Sequence, residues 1–92
     1  MINFYEFENK IPEHTKQAIS NYIEYGRKPG SFLQYVIAND VHSAVRVADS
    51  ENFAALGNIL LFFINYTEQR CRGSFQALDY WIERKSQNEH SY

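Results

Sequence analysis

The segment from Glu51 to Tyr66, ENFAALGNILLFFINY, constrains this chain more than any other. On a wheel of about 3.6 residues per turn, Phe53, Leu56, Ile59, Leu60, Phe63 and Ile64 fall in one stripe roughly 140° wide, the width of an ordinary core face. Leu61 and Phe62 fall outside that stripe, with Phe62 nearly opposite it. A helix that is apolar on every side must be covered on every side. It is therefore either the central helix of its domain or the seam of an oligomer, and the pattern admits both.

The rest of the chain reads as helices around this one. PEHTKQAISNYIEYG opens on Pro12, whose missing N–H costs nothing in a first turn, and on Glu13, which suits the positive end of a helix dipole. Ala18, Ile19, Tyr22 and Ile23 share a face, and Gly26 ends the helix in the left-handed conformation that glycine adopts without strain. SFLQYVIAND buries Phe32 or Leu33 with Val36 and Ile37. Asn39-Asp40 either breaks it, with Asp40 capping a short helix VHSAVRVA, or bends one longer helix. Asp49 or Ser50 caps the apolar segment, and Ser74 caps FQALDYWIERK, where Phe75, Leu78, Trp81 and Ile82 share a face. With 92 residues and an apolar fraction of 45%, the expectation is one all-α domain of four or five short helices over 11–86. A short N-terminal arm or strand over 1–10 precedes it, and a frayed tail over 87–92 follows.

Charge and cysteine content narrow the function classes. The net charge is −2, and like charges never run longer than two. A dedicated nucleic-acid binder shows a basic stripe instead. A DNA mimic would be far more acidic. One cysteine, Cys71, rules out a disulfide framework within the chain and fits a reducing compartment. MINFYEFENK carries Glu6 and Glu8 where a secretory signal needs a basic start and an apolar run. The longest apolar run, Ile59 to Ile64, is too short to span a bilayer. A cytoplasmic protein without membrane partners is expected.

Two stretches invite a chemical reading. RKPGSF (Arg27 to Phe32) and RCRGSF (Arg70 to Phe75) each set basic residues before a helix start. Such starts offer free N–H groups and positive potential to an anion. The candidate anion-binding residues are Arg27, Lys28, Gly30 and Ser31 in one stretch, and Arg70, Arg72, Gly73 and Ser74 in the other. Neither is a phosphate-binding P-loop, which needs a final Gly-Lys-Ser/Thr and a preceding strand. The sequence favours the plainer reading of serine caps and solubilising charges. His14, His42 and His90 include no pair at the i, i+4 spacing of a helical metal site, so no metal or other cofactor is expected. Cys71, between two arginines, would have a depressed pKa if exposed, but no base is positioned for it. No carboxylate pair stands out, and the sequence points away from an enzyme.

Seven Phe, seven Tyr and one Trp are more rings than so small a domain is expected to bury. The surplus favours contact with a protein partner. Phe4, Tyr5 and Phe7 on the arm, with Leu61 and Phe62 on the apolar helix, are the expected contact residues, and a homodimer is one outcome. The run IPEHT, Tyr22, YGRKPGSFLQYVIAND, Ala44, ADSEN, Leu56, Gly73-Ser74 and Trp81 resembles a group of small proteins of tailed phages and prophages. These look like variations on I-P-E-H-T, G-x-x-P-G-x-F-L, N-D, A-D and G-S with a later Trp. The resemblance covers Ile11 to about Lys85 and is most specific over PGSFLQYVIAND. It implies a phage-encoded accessory protein that binds and occludes a host protein, such as a component of an antiviral defence system, inside the bacterial cell.

Overall fold

A computed structural model describes residues 2–89 of the chain, except for the side chains of Tyr5 and of residues 87–89. Among these residues five α-helices form and no strand: α1 (Glu13–Tyr25), α2 (Ser31–Ile37), α3 (Val41–Val47), α4 (Ser50–Tyr66) and α5 (Phe75–Glu89). Short 3-10 turns lie at Tyr5–Phe7 and Gln69–Cys71. The chain is therefore all-α, as its periodicity predicts.

Local chemistry sets the boundaries. Pro12 stands immediately before α1, and Gly26 closes it at φ 69°. The Asn39-Asp40 pair is a break, not a bend. Asn39 takes a left-handed φ of 65°, a conformation that asparagine tolerates better than most residues. Asp40 then accepts the Ser43 N–H at 3.2 Å to start α3. Asp49 accepts the Asn52 N–H at 2.7 Å, and the Ser74 hydroxyl accepts the Ala77 N–H at 3.0 Å. Each cap satisfies a donor that the helix itself leaves unpaired.

The core gathers Ile19 and Tyr22 of α1, Leu33 and Ile37 of α2, Ala44 of α3, Ile59 and Phe62 of α4, and Leu78 and Trp81 of α5. Burying one large apolar side chain of this kind contributes about 1.5–3 kcal/mol. Polar bonds fix how the helices meet. The Tyr22 hydroxyl donates to the Cys71 carbonyl at 2.7 Å. The Trp81 indole N–H reaches the Tyr22 and Ile23 carbonyls at 3.1 and 3.2 Å, at the C-terminal end of α1. The buried Thr15 hydroxyl donates to the Asn52 side-chain carbonyl, joining α1 to α4.

Two expectations need correction. The N-terminal segment lies on the bundle but is neither a strand nor an extended arm throughout: it makes a 3-10 turn and inserts Phe4 and Phe7 into the core. Phe4 stacks on Phe62 with centroids 4.6 Å apart, and Phe7 meets Phe62 edge-on at 6.1 Å. The buried side of α4 also differs from the predicted stripe. It carries Asn52, Ala55, Ile59, Phe62 and Phe63, a face turned by roughly 80° on the helix wheel. The cause is tertiary. A helix apolar all round has no preferred side of its own. Here Phe4 and Phe7 draw Phe62 inward, while Thr15 holds Asn52. The last helix continues to Glu89; the rest of the expected tail, 90–92, lies outside the described residues.

Candidate functional site

Turning α4 inward on Phe62 leaves its other side in water. Phe53 is 59% exposed, Leu61 48% and Ile64 58%. Gly57 lies among them with open space where a side chain would stand, and Leu56 and Leu60 are half-buried at the margin. Phe53, Gly57, Leu60, Leu61 and Ile64 span about 100° of the wheel. No Asp, Glu, Lys or Arg occurs from Asn52 to Thr67, so the patch has no charge of its own. Contiguous apolar surface of this kind marks contact sites on soluble proteins.

This patch differs from the predicted contact set. Phe4, Phe7 and Phe62 are buried, Phe62 completely, so the expectation that they meet a partner is overturned. They serve as the clasp that holds the N-terminal segment to α4. Leu61 alone of the expected set lies on the outward face, and the Tyr5 side chain lies outside the described residues. Phe53 and Ile64, assigned to the core by the wheel, are the most exposed members of the patch. The signal that would have found them is the 4-3-4 spacing of Phe53, Gly57, Leu60 and Ile64, a second apolar seam beside the first.

Of the two candidate anion-binding stretches, the second has its groups engaged elsewhere. Arg72 donates from Nε to the Thr67 hydroxyl at 3.2 Å and from Nη2 to the Ile64 carbonyl at 3.3 Å. It thereby closes the negative end of α4, where cations are favoured. Arg70 pairs with Glu68. The Gly73 N–H donates to the Ile37 carbonyl at 2.7 Å, and the Ser74 hydroxyl is spent on its cap. In the first stretch Gly30 precedes α2, but Ser31 makes no capping bond. Arg27 lies over the Tyr25 ring at 5.3 Å, and Lys28 is exposed. The stretches stand at opposite ends of α2, since Gly73 contacts Ile37 while Gly30 adjoins Ser31. They do not converge on one ligand.

The remaining polar groups are also accounted for. Lys16 is nearly buried, its side chain 7% exposed. Its Nζ donates to the Glu8 carbonyl at 2.6 Å and pairs with Glu13 at 2.9 Å and Glu8 at 3.2 Å. The hydrogen bond it donates to Glu13, ahead of the opposing effect of burial, raises its pKa. An open groove of about 410 Å³ between the N-terminal segment and α1 passes over this ammonium, whose three donors are already used. Cys71 is buried. Burial pushes its thiol up, outweighing the Arg72 charge, so the depressed pKa conceived for an exposed thiol does not arise. His14 lies 3.6 Å from Asp49, both well exposed. Among the described residues no group of three or more His, Cys, Asp or Glu is placed to hold a metal ion, and no helix is long and apolar enough to cross a membrane. Compared with known proteins, the chain matches no family model, no curated protein and no solved structure.

Proposed function

We propose that this chain is a non-enzymatic interaction protein, a phage-type accessory protein that acts in the bacterial cell by contact with a host protein. The observation that carries contact as its mode of action is the uncharged outward face of α4, with Phe53, Leu61 and Ile64 about half in water. Hydrating such a face costs about 25 cal/mol per Å² of apolar area, which a protein partner relieves. The phage setting and the host target rest on the resemblance in PGSFLQYVIAND, a class-level analogy. Occlusion of a defence component is the form that such contact takes in this reading.

The test compares wild type with the double variant Leu61→Glu/Ile64→Glu as bait in nuclease-treated bacterial lysate. The same baits are then followed by hydrogen exchange on the captured complex. One host protein held by wild type and lost by the variant, with new protection over 53–64, is the expected result. Equal capture by both baits, or loss of all prey on nuclease treatment, would overturn the reading.

A further inference from the structure

We infer that the outward face of α4 is covered by a second copy of this chain, packed antiparallel across a two-fold axis that passes between Gly57 and Leu60. The inference rests on the reading of this face as a protein-contact surface and names its occupant in the free protein, which a host protein would have to displace.

Three observations lead there. The first is the spacing. Phe53, Gly57, Leu60 and Ile64 follow the 4-3-4 rhythm of a helix-pairing seam; Phe53, Gly57 and Ile64 are exposed and Leu60 is half-buried beside them. In an antiparallel pair centred between 57 and 60, Gly57 of one copy faces Leu60 of the other. Phe53 faces Ile64. The missing side chain at Gly57 has open space around it, which leaves room for the exposed part of the facing Leu60. Large meets small at the centre, where Leu60 faces Gly57, and each match is made twice, as an isologous interface requires. A parallel pair would instead set Gly57 against Gly57 and leave a void.

The second observation is charge. The N-terminal end of α4 adjoins the acidic Asp49 and Glu51. Its C-terminal end adjoins Arg72, which bonds the Ile64 carbonyl, and the Glu68–Arg70 pair. Antiparallel packing brings the acidic end of each copy to the arginine-bearing end of the other and opposes the two helix dipoles. Parallel packing would place Asp49 and Glu51 beside their own copies.

The third is area. Phe53, Leu61 and Ile64 each leave about half of their surface in water, on the order of 100 Å² apiece. With the margins of Leu56 and Leu60, and with Ala54 exposed beside Leu61, a pair would bury close to the ~1,000 Å² at which specific interfaces begin. That predicts a dimer of micromolar affinity rather than an obligate one.

The experiment is light scattering on the purified full chain over a concentration series from micromolar to millimolar. The expected mass rises from the 10.8 kDa monomer toward twice that value. Gly57→Leu fills that room. Because the position is exposed and uncrowded, the variant should fold with an undiminished melting temperature, yet its dimer should weaken at least tenfold. Gly57→Leu/Leu60→Ala exchanges knob and hole and should recover most of the lost association. A wild-type monomer at millimolar concentration overturns the inference, as does a Gly57→Leu variant that pairs as well as wild type or a swap variant that recovers nothing. The separate readouts keep the two ideas apart. A monomer whose host capture still depends on Leu61 and Ile64 defeats the dimer and leaves the interaction reading standing. A dimer that captures no host protein does the reverse.

Discussion

Replacing Gly26 with alanine should cost about 1–4 kcal/mol of stability, although it adds only one methyl group. Two effects contribute. Gly26 sits at φ 69°, where an L-residue pays about 1–2 kcal/mol. Its added Cβ would also stand 2.5 Å from the Cβ of Lys85 and 3.2 Å from the carbonyl of Ile82. Lys85 Cβ is anchored to the α5 backbone, so relief requires α5 to retreat by about 1 Å to reach ordinary contact distance. That retreat stretches the bonds from the Trp81 indole to Tyr22 and Ile23, worth another ~1–2 kcal/mol. Alanine recovers about 0.4–1 kcal/mol by restricting the unfolded chain. The net loss should lower the melting temperature by about 5–20 °C in a domain of this size.

Gly57→Ala supplies the control. It makes the same chemical change in the exposed middle of α4 with no atom within 4 Å, and should stabilise by about 1 kcal/mol through helix propensity alone. Urea unfolding, followed by circular dichroism and by emission from the lone Trp81 below the concentration of self-association, reads both. A Gly26→Ala variant within about 0.5 kcal/mol of wild type, or two variants of the same sign, would refute the close approach of α1 and α5.

Three further outcomes are expected. Phe62→Ala should lose about 3–5 kcal/mol, whereas Phe53→Ala should change monomer stability by no more than about 0.5 kcal/mol; equal losses in denaturant titrations would mean that the wrong side of α4 has been called core. Cys71 should react with a disulfide reagent only at the rate of opening, and immediate reaction of the native protein would contradict its burial. Burial holds the Tyr22 phenol far above its ordinary pKa of 10.0. A raised folded-state value means that the stabilisation is complete below pH 10.0 and is lost as pH climbs past it. Tyr80, lowered chiefly by its hydrogen bond from Arg84, should ionise before Tyr22, and tyrosinate absorbance against pH checks the order.

Much of the fold was legible because its signals are local. Pro12, Gly26, Asp40, Asp49 and Ser74 act on the residues beside them, and each marks a boundary that the structure bears out. Ile19, Tyr22, Leu78 and Trp81 were legible as core because polar neighbours outline their stripes. The orientation of α4 was not, since apolar residues surround it and the choice of face depends on Phe4 and Phe7, dozens of residues away. For the same reason the contact patch was misplaced. Phe62 looked like surplus only while its partners on the N-terminal segment were unknown. The two Gly-Ser-Phe stretches were legible only in part: the favoured reading of serine caps holds for Ser74 and not for Ser31. Their local pattern suits an anion, but Arg72 reaches back to α4 and Gly73 to Ile37, bonds that no local reading contains.

The way α1 is finished has a consequence for how the protein is made. Its N-terminal half needs Asn52 as the partner of Thr15, and its C-terminal half needs Cys71 and Trp81 as partners of Tyr22 and Ile23. All three partners are translated long after α1 itself. A ribosome adding about 5–20 residues per second therefore holds an incomplete α1 until Trp81 has emerged. Nascent fragments ending before Trp81 should remain sensitive to protease, and folding should arrive as one event once Trp81 has emerged rather than helix by helix.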